Sequence, residues 1–293
     1  MAHPYFGGGK IIFLKNMLGI KKIAKGRMGN RLFHYHFLRQ ISKKTGIEYF
    51  CIDFPDAKKF DGMSKTGKVN FRFNKKIRLT SKDILSYQPD DFIEFVKSED
   101  IKGRDIILDP PMLGEVFFDY LFFDPNEFIG IKKEHQKGFE FDVREKKIIA
   151  LHFRGTDFEA WNKNASLKFD YYKKSIDYCL EYFKNEKIVF VLFTDDLNFQ
   201  PYTNTVDYLK SKNLEYHLGD PKGSPIHDFY QMTQSDVLVS SPSTFAIFAG
   251  ILGKKKKIIH AQSWMDYAID NNDTFWSRLS ETNNPYYKLW KAF

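Results

Sequence analysis

Cysteine is scarce in this chain: Cys51 and Cys179 are the only two in 293 residues. Without metal-ligand spacing they supply neither a disulfide framework nor a structural zinc site, and they point to a reducing compartment. Long apolar runs are missing as well. The uncharged apolar stretches fall well short of the roughly 20 residues of a membrane helix, and the start lacks the charged-then-apolar order of a signal peptide. The expectation is a cytoplasmic protein without a transmembrane segment, its basic surface leaving room for peripheral contact at the inner face of a membrane. No Asp-x-Asp occurs, and the histidines are scattered apart from His34 and His36, which a helix sends to different sides. No metal is therefore expected. His34 is expected at the surface or in a cleft, and Phe33 and Phe37 in the core.

What is present is aromatic and basic. Apolar residues make up 43% of the chain and aromatics 17%, with 30 Phe and 16 Tyr, ample for packed cores and against global disorder. Lys and Arg number 45 against 37 Asp and Glu, a net charge of +8. That balance invites an anionic partner: nucleic acid, a membrane surface or a phosphorylated small molecule. The longest basic run, Lys254 to Lys257, lies between apolar segments and reads as a solvated loop. No nucleic-acid partner is expected. Gly62-x-x-x-x-Gly67-Lys68 imitates a phosphate-binding loop, but Val69 stands where a hydroxyl residue is required and no apolar strand precedes it.

The second half alternates strand and helix. Ile148 to Phe153, Lys187 to Phe193, Leu214 to His217, Val237 to Val239 and Ile258-Ile259 read as strands. Helical patterns stand between them, one with Tyr172, Ile176, Cys179, Leu180 and Phe183 on one face, one opened by Ser224-Pro225, and one from Ser243 or Thr244 to a Gly253 cap. The alternation predicts a doubly wound parallel sheet over about 147–262. The first half begins alike. A strand is predicted at 20–25, a Gly26-Arg-Met-Gly29 turn, a helix from Asn30, the candidate cap, to Lys44 ending at Gly46, and a strand at 47–52. Residues 60–80 read as a loop-rich insertion, 89–98 and 115–137 as helical, and 106–108 as a strand between them. The charged stretch Glu140 to Lys147 marks the boundary between an N-terminal domain, 1–143, and a C-terminal domain, 144–293.

Four loops after strands carry polar clusters, and in open α/β sheets ligands sit beyond the carboxyl ends of the strands. In His152-Phe-Arg154-Gly-Thr-Asp157 the Arg fork suits a diphosphate, while Asp157 can brace that fork or accept a proton. Ser240-Ser241-Pro-Ser243-Thr244-Phe245 combines hydroxyls with helix-start amides, an anion cradle that also serves as a cap. The loop with Arg27, Gly29 and Asn30 allows close backbone approach. Thr194-Asp195-Asp196 offers carboxylates to a ribose or purine, or forms a turn.

Together these motifs resemble a family. Gly26-x-x-Gly29-Asn30-Arg-Leu-Phe-His-Tyr35 is similar to the Gly-Asn-Gln-x-Phe-Gln-Tyr opening of α-1,2-fucosyltransferases, glycosyltransferase family eleven. His152-x-Arg154-x-x-Asp157 resembles the His-x-Arg-Arg-x-Asp signature of α-1,2-, α-1,6- and protein O-fucosyltransferases. Phe193-Thr-Asp-Asp196 resembles their Phe-Ser-Asp-Asp, and Ser241-x-Ser243-Thr244-Phe245 their Asn-Ser-Thr-Phe-Ser. Gly155 departs from the pattern where a second Arg is usual, Arg31 and His34 replace two Gln, and Phe248 replaces one of two Trp. The resemblance implies a GT-B fold of two Rossmann-like domains facing across a cleft, acceptor side first and GDP-sugar side second. It also implies inverting, metal-independent transfer from GDP-fucose to a glycan acceptor. Arg154 would then stabilise the leaving diphosphate, Ser241, Ser243, Thr244 and Phe245 would hold it, and Asp195 or Asp196 would contact the guanosine. Asp157 would be the base, with His152 and Glu159 behind it, and residues 53–125 would shape the acceptor site.

Overall fold

The computed structural model describes residues 16–20, 27–51, 54–63, 75–87, 89–109, 129–156, 158–220, 223–253, 257–270 and 289–293. Two parallel sheets organise them. The first holds β1 (Met17–Ile20), β2 (Glu48–Cys51), β3 (Lys75–Thr80) and β4 (Arg104–Asp109) in the order β2-β1-β4-β3. The second holds β5 (Lys146–Phe153), β6 (Lys187–Thr194), β7 (Tyr216–Leu218), β8 (Val237–Val239), β9 (Lys257–His260) and β10 (Leu289–Ala292) in the order β10-β9-β8-β5-β6-β7. β5 is apolar from Ile148 to Phe153 except for His152, and is buried on both faces as a central parallel strand must be. From β5 the chain winds outward through β6 and β7, then returns to the other side of β5 with β8. That reversal puts the topological switch point beyond the carboxyl ends of β5 and β8, where doubly wound sheets bind ligands.

Helices connect the strands. In the first half these are α1 (Met28–Thr45), α2 (Ser81–Leu85) and α3 (Pro89–Lys97). The second half adds α4 (Phe158–Trp161), α5 (Phe169–Tyr182), α6 (Gln200–Ser211), α7 (Pro225–Gln234), α8 (Thr244–Leu252) and α9 (Gln262–Asp270). α1 ends as its sequence predicts, on a left-handed Gly46 whose amide donates to the Ser42 carbonyl. α1 is buried along almost its whole circumference, because α8 of the second half covers the side that the first sheet leaves open. Phe33 meets Phe248 edge to face with ring centroids 5.1 Å apart, and His36 lies 5.0 Å from the same ring.

Several expectations need correction. The first strand lies at 17–20, earlier than predicted, and 21–26 fall outside the described residues. The 60–80 insertion contains β3, whose Ile77 and Leu79 alternate with charged residues as an edge strand's do. Of the predicted helix at 115–137, residues 115–128 lie outside the described residues, and the rest forms a bridge at Ile131 and a single 3-10 turn at Lys133–His135. β7 starts two residues later than predicted, and Gly253 caps α8 without a left-handed conformation (φ −71°). α9 and β10 were not foreseen; β10 adds a parallel strand to the β9 edge. His34 is buried rather than surface or cleft, because α1 is covered on its polar side too, and burial lowers its imidazole to about 4.

Candidate active site

The loops after β5 and β6 meet on one carboxylate. Asp195, the residue after β6, accepts from the Gly155 amide at 2.9 Å, from the Thr156 hydroxyl at 2.9 Å and from the Arg154 guanidinium. Arg27, from the start of α1, reaches across to the same carboxylate at 3.0 Å and to the Thr156 hydroxyl at 3.4 Å. Burial pushes the Asp195 carboxyl up, but the Gly155 amide, Arg154 and Thr156 outweigh it and hold the group below the ordinary carboxylate range. One acidic side chain thus gathers two guanidinium groups from different halves of the chain. Arg154 is held tightly, 11% exposed with its guanidinium 5.1 Å from the Phe158 ring centre, whereas Arg27 is 58% exposed.

The β8–α8 turn is braced from beneath. The Tyr171 hydroxyl donates to the Ser240 and Ile259 carbonyls, both at 2.9 Å, and the Ser240 hydroxyl to the Ser241 carbonyl at 2.7 Å. The Ser241 hydroxyl lies 2.8 Å from His152 Nδ1, joining the two loops at the switch point. His152 is buried, and desolvation, aided by Arg154, lowers its imidazole to about 4. It is a neutral ring at pH 7, suited to positioning a hydrogen bond. Ser243 occupies the N-cap position of α8 without making the side-chain cap. The first-turn amides of α8, from Thr244 onward, have no carbonyl partner within the helix and point out of its N-terminus, where an anion is stabilised.

The first turn of α1 approaches this turn closely. A Cβ on Gly29 would stand 2.4 Å from the Phe245 nitrogen and 2.6 Å from the Thr244 carbonyl carbon, so only glycine allows the contact. Asn30 does not cap α1: the N-cap is Arg27, and the Asn30 side-chain oxygen accepts from the Thr244 hydroxyl at 2.5 Å. Two helix N-termini therefore converge, with Arg27 and Arg154 beside them. An arrangement of this kind can bind a multiply charged anion and stabilise charge that develops on it.

The structure thus brings together His152, Arg154, Asp195, Ser241, Ser243, Thr244, Phe245, Arg27, Gly29 and Asn30. Asp157 lies outside the described residues. Asp196 forms a local turn, its carboxylate accepting from the Asn198 amide at 2.9 Å. Gly155 is crowded: a Cβ there would stand 3.1 Å from both Asp196 Cβ and Phe199 Cβ, a fit that needs those neighbours to give by a few tenths of an ångström. The motif reading missed Asp228, in the first turn of α7 beside Phe229, whose ring lies 5.2 Å from Phe245. Burial, together with the charge of Asp220, raises its carboxyl to about 7. Its position in the first turn of a helix that follows a parallel strand is the only sequence signal it carries.

No curated protein matches the sequence. Among solved structures, a point mutant of Arabidopsis thaliana FUT1 in complex with GDP is similar, with a TM-score of 0.56 at 12% identity, over 83% of this chain and 69% of that one. POFUT1 in complex with GDP-fucose gives 0.54 at 12% identity, over 83% and 94%. At such identity the likeness is one of fold, that of two parallel α/β sheets. Residues 125–277, which carry the Arg154 loop, the Asp195 turn and the start of α8, match the profile of glycosyl transferase family 11. The chain belongs to glycosyl transferase family 11.

Proposed function

We propose that the protein transfers L-fucose from GDP-β-L-fucose to a hydroxyl of a glycan acceptor, with inversion and without a metal, the preferred product being an α-1,2-linked galactoside. The observation that carries this reading is the convergence of Arg27 and Arg154 beside the first turn of α8. The donor diphosphate binds beside this pair, contacted by the guanidinium groups, the Ser243 hydroxyl and the α8 amides. Asp195 holds the two like charges together. As the bond between fucose C1 and the diphosphate oxygen breaks, Arg154 stabilises the departing negative charge. The acceptor oxygen bonds to C1 from the opposite face, and its proton passes to Asp157. Neutral His152 orients the Ser241 side of the turn. Asp195 or Asp196, at the end of β6, contacts the guanosine. Residues 1–143 supply the acceptor side and 144–293 the donor side. The family membership and the GDP and GDP-fucose held by proteins of the same fold support this reading.

The test is transfer from GDP-fucose to a panel of galactosides in the presence of EDTA, with the product linkage read by NMR. An α-1,2-fucosylated product is expected, and Arg154→Ala should lower kcat by about 10²–10³, the usual cost of losing one fixed donor to the developing charge. Full transfer by Arg154→Ala would overturn the role given to that residue.

A further inference from the structure

The loop after β2 forms a second recess. Phe54, Pro55, Ala57, Lys58, Phe60, Gly62, Met63 and Lys132 line a pocket of about 440 Å³, within the roughly 300–1,000 Å³ of small-molecule sites. Its walls are fixed. The Arg31 Nε donates to Asp56 at 2.9 Å, and Lys59 reaches the other carboxylate oxygen at 2.9 Å. The Asp61 amide bonds the Gly130 carbonyl at 2.7 Å, the Lys132 amide bonds the Lys59 carbonyl at 3.0 Å, and Phe60 bridges Ile131. The Tyr35 hydroxyl lies 3.4 Å from the Gly62 carbonyl.

The charges on the rim are unequal. Lys59 is paired with Asp56, a carboxylate it shares with Arg31, while Lys58 and Lys132 form no ion pair among the described residues. Its base is formed by Phe54, Phe60 and Met63, which are buried against the core and leave only a small apolar surface to the recess. An apolar floor suits the C–H face of a sugar ring, and two unpaired ammonium groups suit a negative substituent, since Lys acts as a point charge without demanding a planar, two-pronged partner.

The pocket is joined to the donor site in two ways. Arg31, which anchors its loop, is one residue beyond Asn30, so a single turn of α1 holds both sites. Phe60 meets Phe229 edge to face at 6.3 Å, and Phe229 packs on Phe245 of α8. The geometry points to a subsite for an acidic sugar residue of the acceptor, one bearing a carboxylate or a sulfate ester, with Lys58 and Lys132 as its specificity determinants. This assignment rests on the transferase reading above and narrows its acceptor class.

Calorimetric titration of the full chain with GDP bound tests it, using galactosyl-glucuronate, its uncharged methyl ester and a sulfated galactoside. The acid or the sulfate should bind at least about tenfold tighter than the ester, and the better of the two identifies the substituent. Replacing both lysines with Gln (Lys58→Gln, Lys132→Gln) should abolish the preference, while Arg at both positions keeps it. Equal affinity for charged and uncharged ligands, or a preference that survives in the double Gln variant, would overturn the assignment. Titration with GDP alone separates the two ideas. Nucleotide binding without an acidic preference removes only the subsite, and acidic preference without nucleotide binding removes only the donor reading.

Discussion

Asp228 shows how much a single carboxyl can contribute that a motif does not. Burial and the Asp220 charge raise it from 3.8 to about 7, so the folded chain binds its proton more tightly than the unfolded chain does. Stability from this group is therefore fullest below pH 4 and declines as pH rises towards 7. Asp228→Asn keeps the shape and removes the charge. The variant should melt with wild type near pH 4 and a few degrees above it at pH 8. Equal melting differences at the two pH values would contradict the raised carboxyl. Gly155, which stands where the family pattern has a second Arg, sits in a crowded place: a side chain there would begin 3.1 Å from Phe199 and Asp196, which would have to give by a few tenths of an ångström.

Among elements, the contact between α1 and α8 decides the most. Alanine normally stabilises a helix interior over glycine by roughly 0.5–1 kcal/mol. At Gly29 the added methyl meets backbone at 2.4 Å, and backbone cannot rotate away as a side chain can. Gly29→Ala should therefore destabilise the protein by about 1–3 kcal/mol and weaken GDP binding in parallel, as calorimetry and thermal melts of one preparation would show. A variant as stable as wild type would mean that the helices part without cost. The elements that the sequence revealed were those with a strong local signature: the buried runs of β5 and β6, the Pro225 helix start, the Gly46 cap. The close approach at Gly29 was foreseen because Gly-x-x-Gly announces it. The Asn30–Thr244 bond was not, since it joins residues 214 apart. β3 was missed because an edge strand has few apolar positions, and β10 because its pairing with β9 is set by distant residues.

At the scale of the molecule, two parallel sheets present their loops to one another, and the excess of positive charge acquires a location. Arg27 and Arg154 account for the part at the proposed donor site, and Lys58 and Lys132 for the part at the proposed acceptor subsite. The candidate site was legible because four polar loops, three in the second half and one in the first, fall after predicted strands in a fixed order. The pocket of the first half was not, because it is built from a loop after β2 and a bridge to Ile131 without any periodic pattern. In the proposed function a guanosine diphosphate binds beside the N-termini of α1 and α8, next to Arg154. Calorimetric titration of wild type and Arg154→Ala with GDP and UDP tests it most directly. GDP should bind wild type at least about tenfold tighter than UDP and lose most of that affinity in the variant; absence of GDP binding, or equal affinity for the two nucleotides, would contradict the account.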